Sequence, residues 1–205
     1  APPTPSSTSS GFSTNPQNTL LQASAKAVKF NGSDEYIACG DITDTDGVHN
    51  LSVAFWVNFS SVSGEQQLVT KGAYFTSGDC WAIKWNAGEL QFSVSNVVKA
   101  VDTDLKLNID TWYHIVVTYS NAEDRLVFYL NGDTTVSSGF TIDPDGYALI
   151  PANTGRDVRI GWGYEANDYF NGKMRQVGIW DAELSAPEVT AIYNNGRTLD
   201  LSIAY

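Results

Sequence analysis

From Lys26 onward, apolar and polar residues alternate with the period of two that marks half-buried β-strands. Leu51, Val53, Phe55, Val57 and Phe59 share one strand face, with Trp56 on the other. Trp81, Ile83 and Trp85 repeat the pattern, and so do Leu90, Phe92 and Val94 after an Asn86-Ala87-Gly88 turn. Ile115, Val117 and Tyr119 form the apolar set of a strand at 112–119, and Leu126, Phe128 and Leu130 that of a strand ending at the Asn131-Gly132 hairpin turn. Shorter strands are predicted at 27–30, before the Asn31-Gly32 turn, at 36–39 and at 158–162, with a last one at 173–180. One segment is helical in pattern. Ser185 is a good N-cap, Glu188 completes a capping box and Leu184 can staple onto Val189. Val189, Ile192 and Tyr193 make its apolar stripe, and Gly196 is the expected stop. Many short antiparallel strands with one late helix predict an all-β, two-sheet antiparallel sandwich with a short C-terminal helix.

Residues 1–25 break with this pattern: they carry no charge, and four of the chain's 7 prolines lie there. The start at Ala1-Pro2-Pro3 has no basic region and no apolar core, so no signal peptide is expected in it. We read 1–25 as an extended Pro/Ser/Thr-rich arm and 26–205 as the folded domain. Thr19, Leu20 and Leu21 are the arm's candidate docking residues, able to add a strand to a sheet edge or lie on an aromatic face. The net charge of −11 disfavours nucleic acid, which needs clustered Lys and Arg, and disfavours anionic membranes. No apolar run approaches the ~18 residues of a membrane span. Two cysteines, Cys39 and Cys80, make no disulfide framework and are expected to be free thiols.

Several segments in order resemble the laminin-G-like, concanavalin A-like jelly-roll family. They run from Ala27-Val28-Lys29-Phe30-Asn31-Gly32 through Leu51-Ser52-Val53-Ala54-Phe55-Trp56-Val57 and Trp112-Tyr113-His114-Ile115-Val116-Val117. Leu126-Val127-Phe128-Tyr129-Leu130-Asn131-Gly132, Phe170-Asn171-Gly172-Lys173 and Leu184-Ser185-Ala186-Pro187-Glu188-Val189 complete the series. The resemblance covers roughly residues 26–196 and implies a jelly-roll module, usually non-catalytic, of the kind used in adhesion, glycan recognition and virion surfaces. It also implies calcium, held by a carboxylate on the strand after Phe-Asn-Gly and by oxygens near the first strand. Arg175 stands where that carboxylate is expected, pointing inward with Val177 and Ile179, and would replace the ion by pairing with Asp34 or Asp41. Asp41, Asp44 and Asp46 offer alternating oxygens at a turn but lack a full calcium-loop pattern.

Enzyme chemistry finds little support. Glycoside hydrolysis needs two carboxylates about 5–9 Å apart; Asp34 and Glu35 are adjacent and point to opposite faces. His49 and His114 sit near no nucleophile motif. Binding candidates are better placed. Trp56, His114 and Tyr129 lie opposite the core set, with Val116, Val127, Lys84, Gln91 and Ser93 read onto the same face. A glycan, a neighbouring subunit or arm, or the chain's own cover can occupy such a face. Trp162, Tyr164, Asn167, Asp168 and Tyr169 form an aromatic, polar loop suited to sugar hydroxyls. The reading is therefore a non-catalytic structural or adhesive subunit, displayed on a virion or outside a cell, whose arm docks on a neighbour. The alternative is a carbohydrate-binding module of a secreted protein. Expected partners are other protein subunits or glycans, with no membrane insertion. No cofactor is expected beyond the calcium the resemblance leaves open.

Overall fold

The computed structural model describes residues 26–72, 81–94, 97–102, 105–123, 125–134, 141–142, 150–152, 155–163 and 168–194. The arm with Thr19, Leu20 and Leu21, as well as Cys80, Tyr164, Asn167 and Gly196, lies outside them.

Among the described residues thirteen strands form two antiparallel sheets. They are β1 (Val28–Asn31), β2 (Ile37–Ala38), β3 (Asn50–Phe59), β4 (Glu65–Lys71), β5 (Trp81–Asn86), β6 (Glu89–Val94) and β7 (Val97–Asp102). They continue as β8 (Trp112–Ser120), β9 (Arg125–Leu130), β10 (Asp133–Thr134), β11 (Thr141–Ile142), β12 (Val158–Ile160) and β13 (Asn171–Trp180). The 6-stranded sheet runs β1-β13-β3-β8-β9-β10 and the 7-stranded sheet β11-β7-β6-β5-β4-β12-β2. The expected sandwich is thus present, with the inner sets Leu51 to Phe59, Trp81 to Trp85, Leu90 to Val94 and Ile115 to Tyr119 buried in one core between the sheets. Both expected hairpin turns form: Ala87 (φ 48) with Gly88 and Asn131 (φ 54) with Gly132. Positive φ at both central residues gives the type I′ twist that matches the strands.

Periodicity did not announce β4. Its register shifts between Gln67 and Val69, so Leu68 and Val69 are both in the core and the alternation is interrupted by one residue. Past the shift, Lys71 lies in register between the core residues Trp81 and Val158. A second bulge separates Arg175 from Gly178 in β13, with Gln176 at φ 50. Met174 fills the core and pairs with Val57, whereas Arg175 pairs with Trp56 on the outer face. This reverses the inward orientation expected for Arg175.

Helix α1 (Ala186–Tyr193) lies on the outer face of the 6-stranded sheet. Glu188 Oε2 accepts hydrogen bonds from the Ser185 backbone N–H (2.8 Å) and hydroxyl (2.6 Å). Val189 is buried against Ala54, Val116 and Tyr129. The preceding segment is tied down by Ser52, whose hydroxyl donates to Ala182 O (2.7 Å) and accepts from Leu184 N–H (2.9 Å). The helix stops at Asn194 in the left-handed conformation (φ 50, ψ 42), ahead of the Gly196 expected to end it; asparagine tolerates that region almost as glycine does. At the other end of the contact, a Cβ on Gly132 would come within 2.7 Å of the Tyr193 ring, so only glycine lets the helix settle on the hairpin.

Candidate functional site

The described site candidates separate onto the two outer faces. On β12, Val158 and Ile160 point into the core and Arg159 points out, next to Thr70 of β4 and Ala38 of β2. After β12 the chain turns at Gly161 (φ +89), where an added Cβ would come within 2.7 Å of the Phe30 ring. Gly161 N–H donates to Leu68 O and Phe170 N–H to Gly161 O, each at 2.9 Å. Gln67 N–H donates to Asp168 O at 2.9 Å, and the Thr70 hydroxyl to Trp162 O at 3.3 Å. Phe170 then anchors in the core, edge-on to Phe30 and Phe59. Both feet of the loop are therefore clamped to β4, which fixes the rings they carry.

Those rings form a platform. Trp162 and Tyr169 are stacked at 5.1 Å with an interplanar angle of 6°. Tyr36, 40% exposed, leans on Trp162 at 5.0 Å. The Arg159 guanidinium lies 4.7 Å from the Trp162 ring centre and 5.1 Å from that of Tyr36. Aromatic faces stack on the C–H faces of sugar rings, and a guanidinium adds fixed donors for hydroxyl or carboxylate oxygens. Of the expected loop residues, Trp162, Asp168 and Tyr169 come together here. Arg159 and Tyr36 were missed, although the Val158-Arg159-Ile160 alternation already turned the arginine away from the core.

Trp56, His114 and Tyr129 do not join this platform, and they are not open to a ligand. They are 5%, 3% and 6% exposed beneath α1. Tyr193 stacks on Trp56 at 5.7 Å and lies 5.8 Å from His114. Burial lowers the His114 pKa to about 4, so the ring is neutral, and burial pushes the Tyr129 hydroxyl up. The chain's own cover is what occupies this face. Lys84, Gln91 and Ser93 belong elsewhere, on the outer face of the 7-stranded sheet, where Lys84 Nζ pairs with Glu65 Oε1 at 2.7 Å. Alternation assigns a residue to the outer side of its strand but does not say which sheet carries that strand.

The calcium implied by the jelly-roll resemblance does not fit the residues present. Arg175 stacks between Trp112 (4.5 Å) and Trp56 (5.1 Å), and burial lowers its pKa. Neither carboxylate expected as its partner plays that part. Asp34 accepts from Asn31 Nδ2 at 2.7 Å, and Asp41 pairs with Lys71 Nζ at 2.9 Å. The same ammonium reaches Asp46 Oδ1 at 2.7 Å and Ile42 O at 2.7 Å. Asp41 Oδ2 also accepts from Gly155 N–H at 2.6 Å, and that bond, ahead of Lys71, holds its pKa below the ordinary value. Asp44 is exposed on the 3₁₀ turn Thr43–Thr45. Among the described residues no group of three or more His, Cys, Asp or Glu side chains is arranged to hold a metal. Cys39 is a free, exposed thiol.

A laminin-G-type family model, described as the concanavalin A-like lectin/glucanases superfamily, matches residues 31–190. Pentraxin-related protein PTX3 of Mus musculus is 26% identical over 157 residues, covering 70% of this chain and 39% of that protein. Neuronal pentraxin-1 of Homo sapiens is 22% identical over 148 residues, 69% of this chain and 33% of that protein. The chain thus spans less than two fifths of the length of these relatives. Among solved structures, the native heptameric SAP-like pentraxin from Limulus polyphemus superposes with a TM-score of 0.60 at 16% identity, covering 82% of this chain and 81% of that one. Domain 4 of AbnA, an extracellular arabinanase from Geobacillus stearothermophilus solved with arabinotriose, gives 0.62 at 17% identity, covering 82% and 76%.

Proposed function

The chain belongs to the concanavalin A-like lectin/glucanases superfamily, and from that premise we propose that it is a non-catalytic carbohydrate-recognition module acting outside the cell. The observation that carries this is the Tyr36–Trp162–Tyr169 platform with Arg159 across it. Two parallel rings clamped to β4 are preorganised, so little side-chain entropy is lost when a sugar stacks on them. The arabinotriose complex of the arabinanase domain supports a saccharide as the ligand class for this fold. The test is a glycan array followed by calorimetric titration of the highest-signal oligosaccharide. Trp162→Ala should weaken binding about tenfold or more while the folded spectrum persists. Wild-type affinity in both Trp162→Ala and Tyr36→Ala would remove the platform from the site, and an array without any binder would end the carbohydrate reading.

A second reading concerns assembly, in a virion or another extracellular structure. The uncharged arm of residues 1–25 suits strand addition to a neighbour. The described 6-stranded sheet ends at β1, whose Val28 is 48% exposed and supplies such an edge. The other docking surface considered for the arm, the aromatic face around Trp56 and Tyr129, is already covered by α1.

A further inference from the structure

We infer that the Lys71 ammonium is a built-in cation, standing in for a divalent ion and fastening the loop at residues 41–46 to the 7-stranded sheet. The inference is independent of the carbohydrate reading, and its readout is stability rather than binding. Lys71 is 1% exposed. An ammonium has three N–H donors and no acceptor, and three oxygens meet it: Asp41 Oδ1 at 2.9 Å, Asp46 Oδ1 at 2.7 Å and Ile42 O at 2.7 Å. Two carboxylates from one short loop, joined by a main-chain carbonyl between them, are the donor types that hard cations take. The lengths are those of charge-assisted hydrogen bonds, longer than the roughly 2.3–2.6 Å of calcium–oxygen contacts. The cradle is therefore satisfied by the chain itself. The β4 register shift makes this possible, because it turns Lys71 inward beside Trp81 and Val158.

The test uses Lys71→Met, which keeps most of the apolar stem and vacates the position of the ammonium. Wild-type protein should melt at the same temperature in EDTA and in millimolar calcium. In EDTA the variant should melt about 10 °C lower, because two carboxylates are left facing each other without a counter-ion. Millimolar calcium should recover much of that loss. Terbium should give Trp81-sensitised luminescence with the variant and not with wild type. If Lys71→Met does not fold alone, the double variant Lys71→Met/Asp46→Asn, which removes one stranded charge, should fold and show no calcium response. A wild-type melt that rises with calcium or falls with EDTA would overturn the inference, as metal rather than ammonium would then hold the loop. So would a Lys71→Met protein as stable as wild type in EDTA, one that calcium fails to rescue, or a double variant that fails to fold.

Discussion

His114 is the residue whose protonation the fold opposes most plainly. Its ring packs beside the stacked Trp56–Tyr193 pair, 5.1 Å from Trp56 and 5.8 Å from Tyr193, and burial brings its pKa from 6.5 to about 4. The unfolded chain binds this proton at higher pH than the folded one, so folding stability is full above pH 6.5 and is lost as pH falls towards 4. Between pH 7 and pH 5 the loss from this group should be about 2 kcal/mol. The carboxylates with lowered pKa, Asp41 and Glu188, start from ordinary values of 3.8 and 4.5. Their stabilisation is present above those values and fades only as pH falls below them, which keeps them largely out of this window. Urea midpoints measured at pH 7 and pH 5 check the effect, and His114→Phe, which keeps an aromatic ring in the stack, should flatten the slope. An unchanged slope in that variant would assign the pH dependence to another group.

At the scale of elements, helix α1 is held at both ends by local chemistry and along one face by the sheet. Ser185 to Ala removes the hydroxyl bonded to Glu188 Oε2 and should cost roughly 1 kcal/mol. A denaturation midpoint equal to that of wild type would show that the sheet contact alone positions the helix. That contact is substantial, since Val189 is wholly buried against Ala54, Val116 and Tyr129 and Tyr193 seals Trp56. The cap, the staple and the apolar stripe were legible in the sequence because all three are set by spacings of three to five residues. The β4 strand was not, because its one-residue register shift puts Leu68 and Val69 on the same side and erases the alternation that would have marked it.

Across the whole molecule the two outer faces differ. The 6-stranded sheet is closed off by α1, and the rim of the 7-stranded sheet carries the aromatic platform. About 20 residues of extended chain reach roughly 60 Å, so residues 1–25, if extended as the assembly reading proposes, would span to an adjacent subunit. Deleting residues 1–25 should leave a folded monomer with unchanged sugar affinity and abolish any assembly the full chain forms, as read by light scattering. Assembly that persists without the arm, or a full-length protein that is strictly monomeric, would sink the assembly reading.

Alternation, turn pairs and caps determined the strand faces, two hairpins and the helix, since each depends on neighbours within a few residues. The sequence could also place Trp162, Asp168 and Tyr169 in one loop. Only the tertiary structure decided what lies against each face. It brought Tyr36 and Arg159, more than a hundred residues apart, to the same platform. It covered Trp56, His114 and Tyr129 with a helix from the far end of the chain, and it gave the acidic loop to Lys71 instead of Arg175. The physical reason is the same in each case. A period of two reports which side of a strand a residue occupies, whereas strand order and single-residue bulges determine which charge, ring or helix is waiting there.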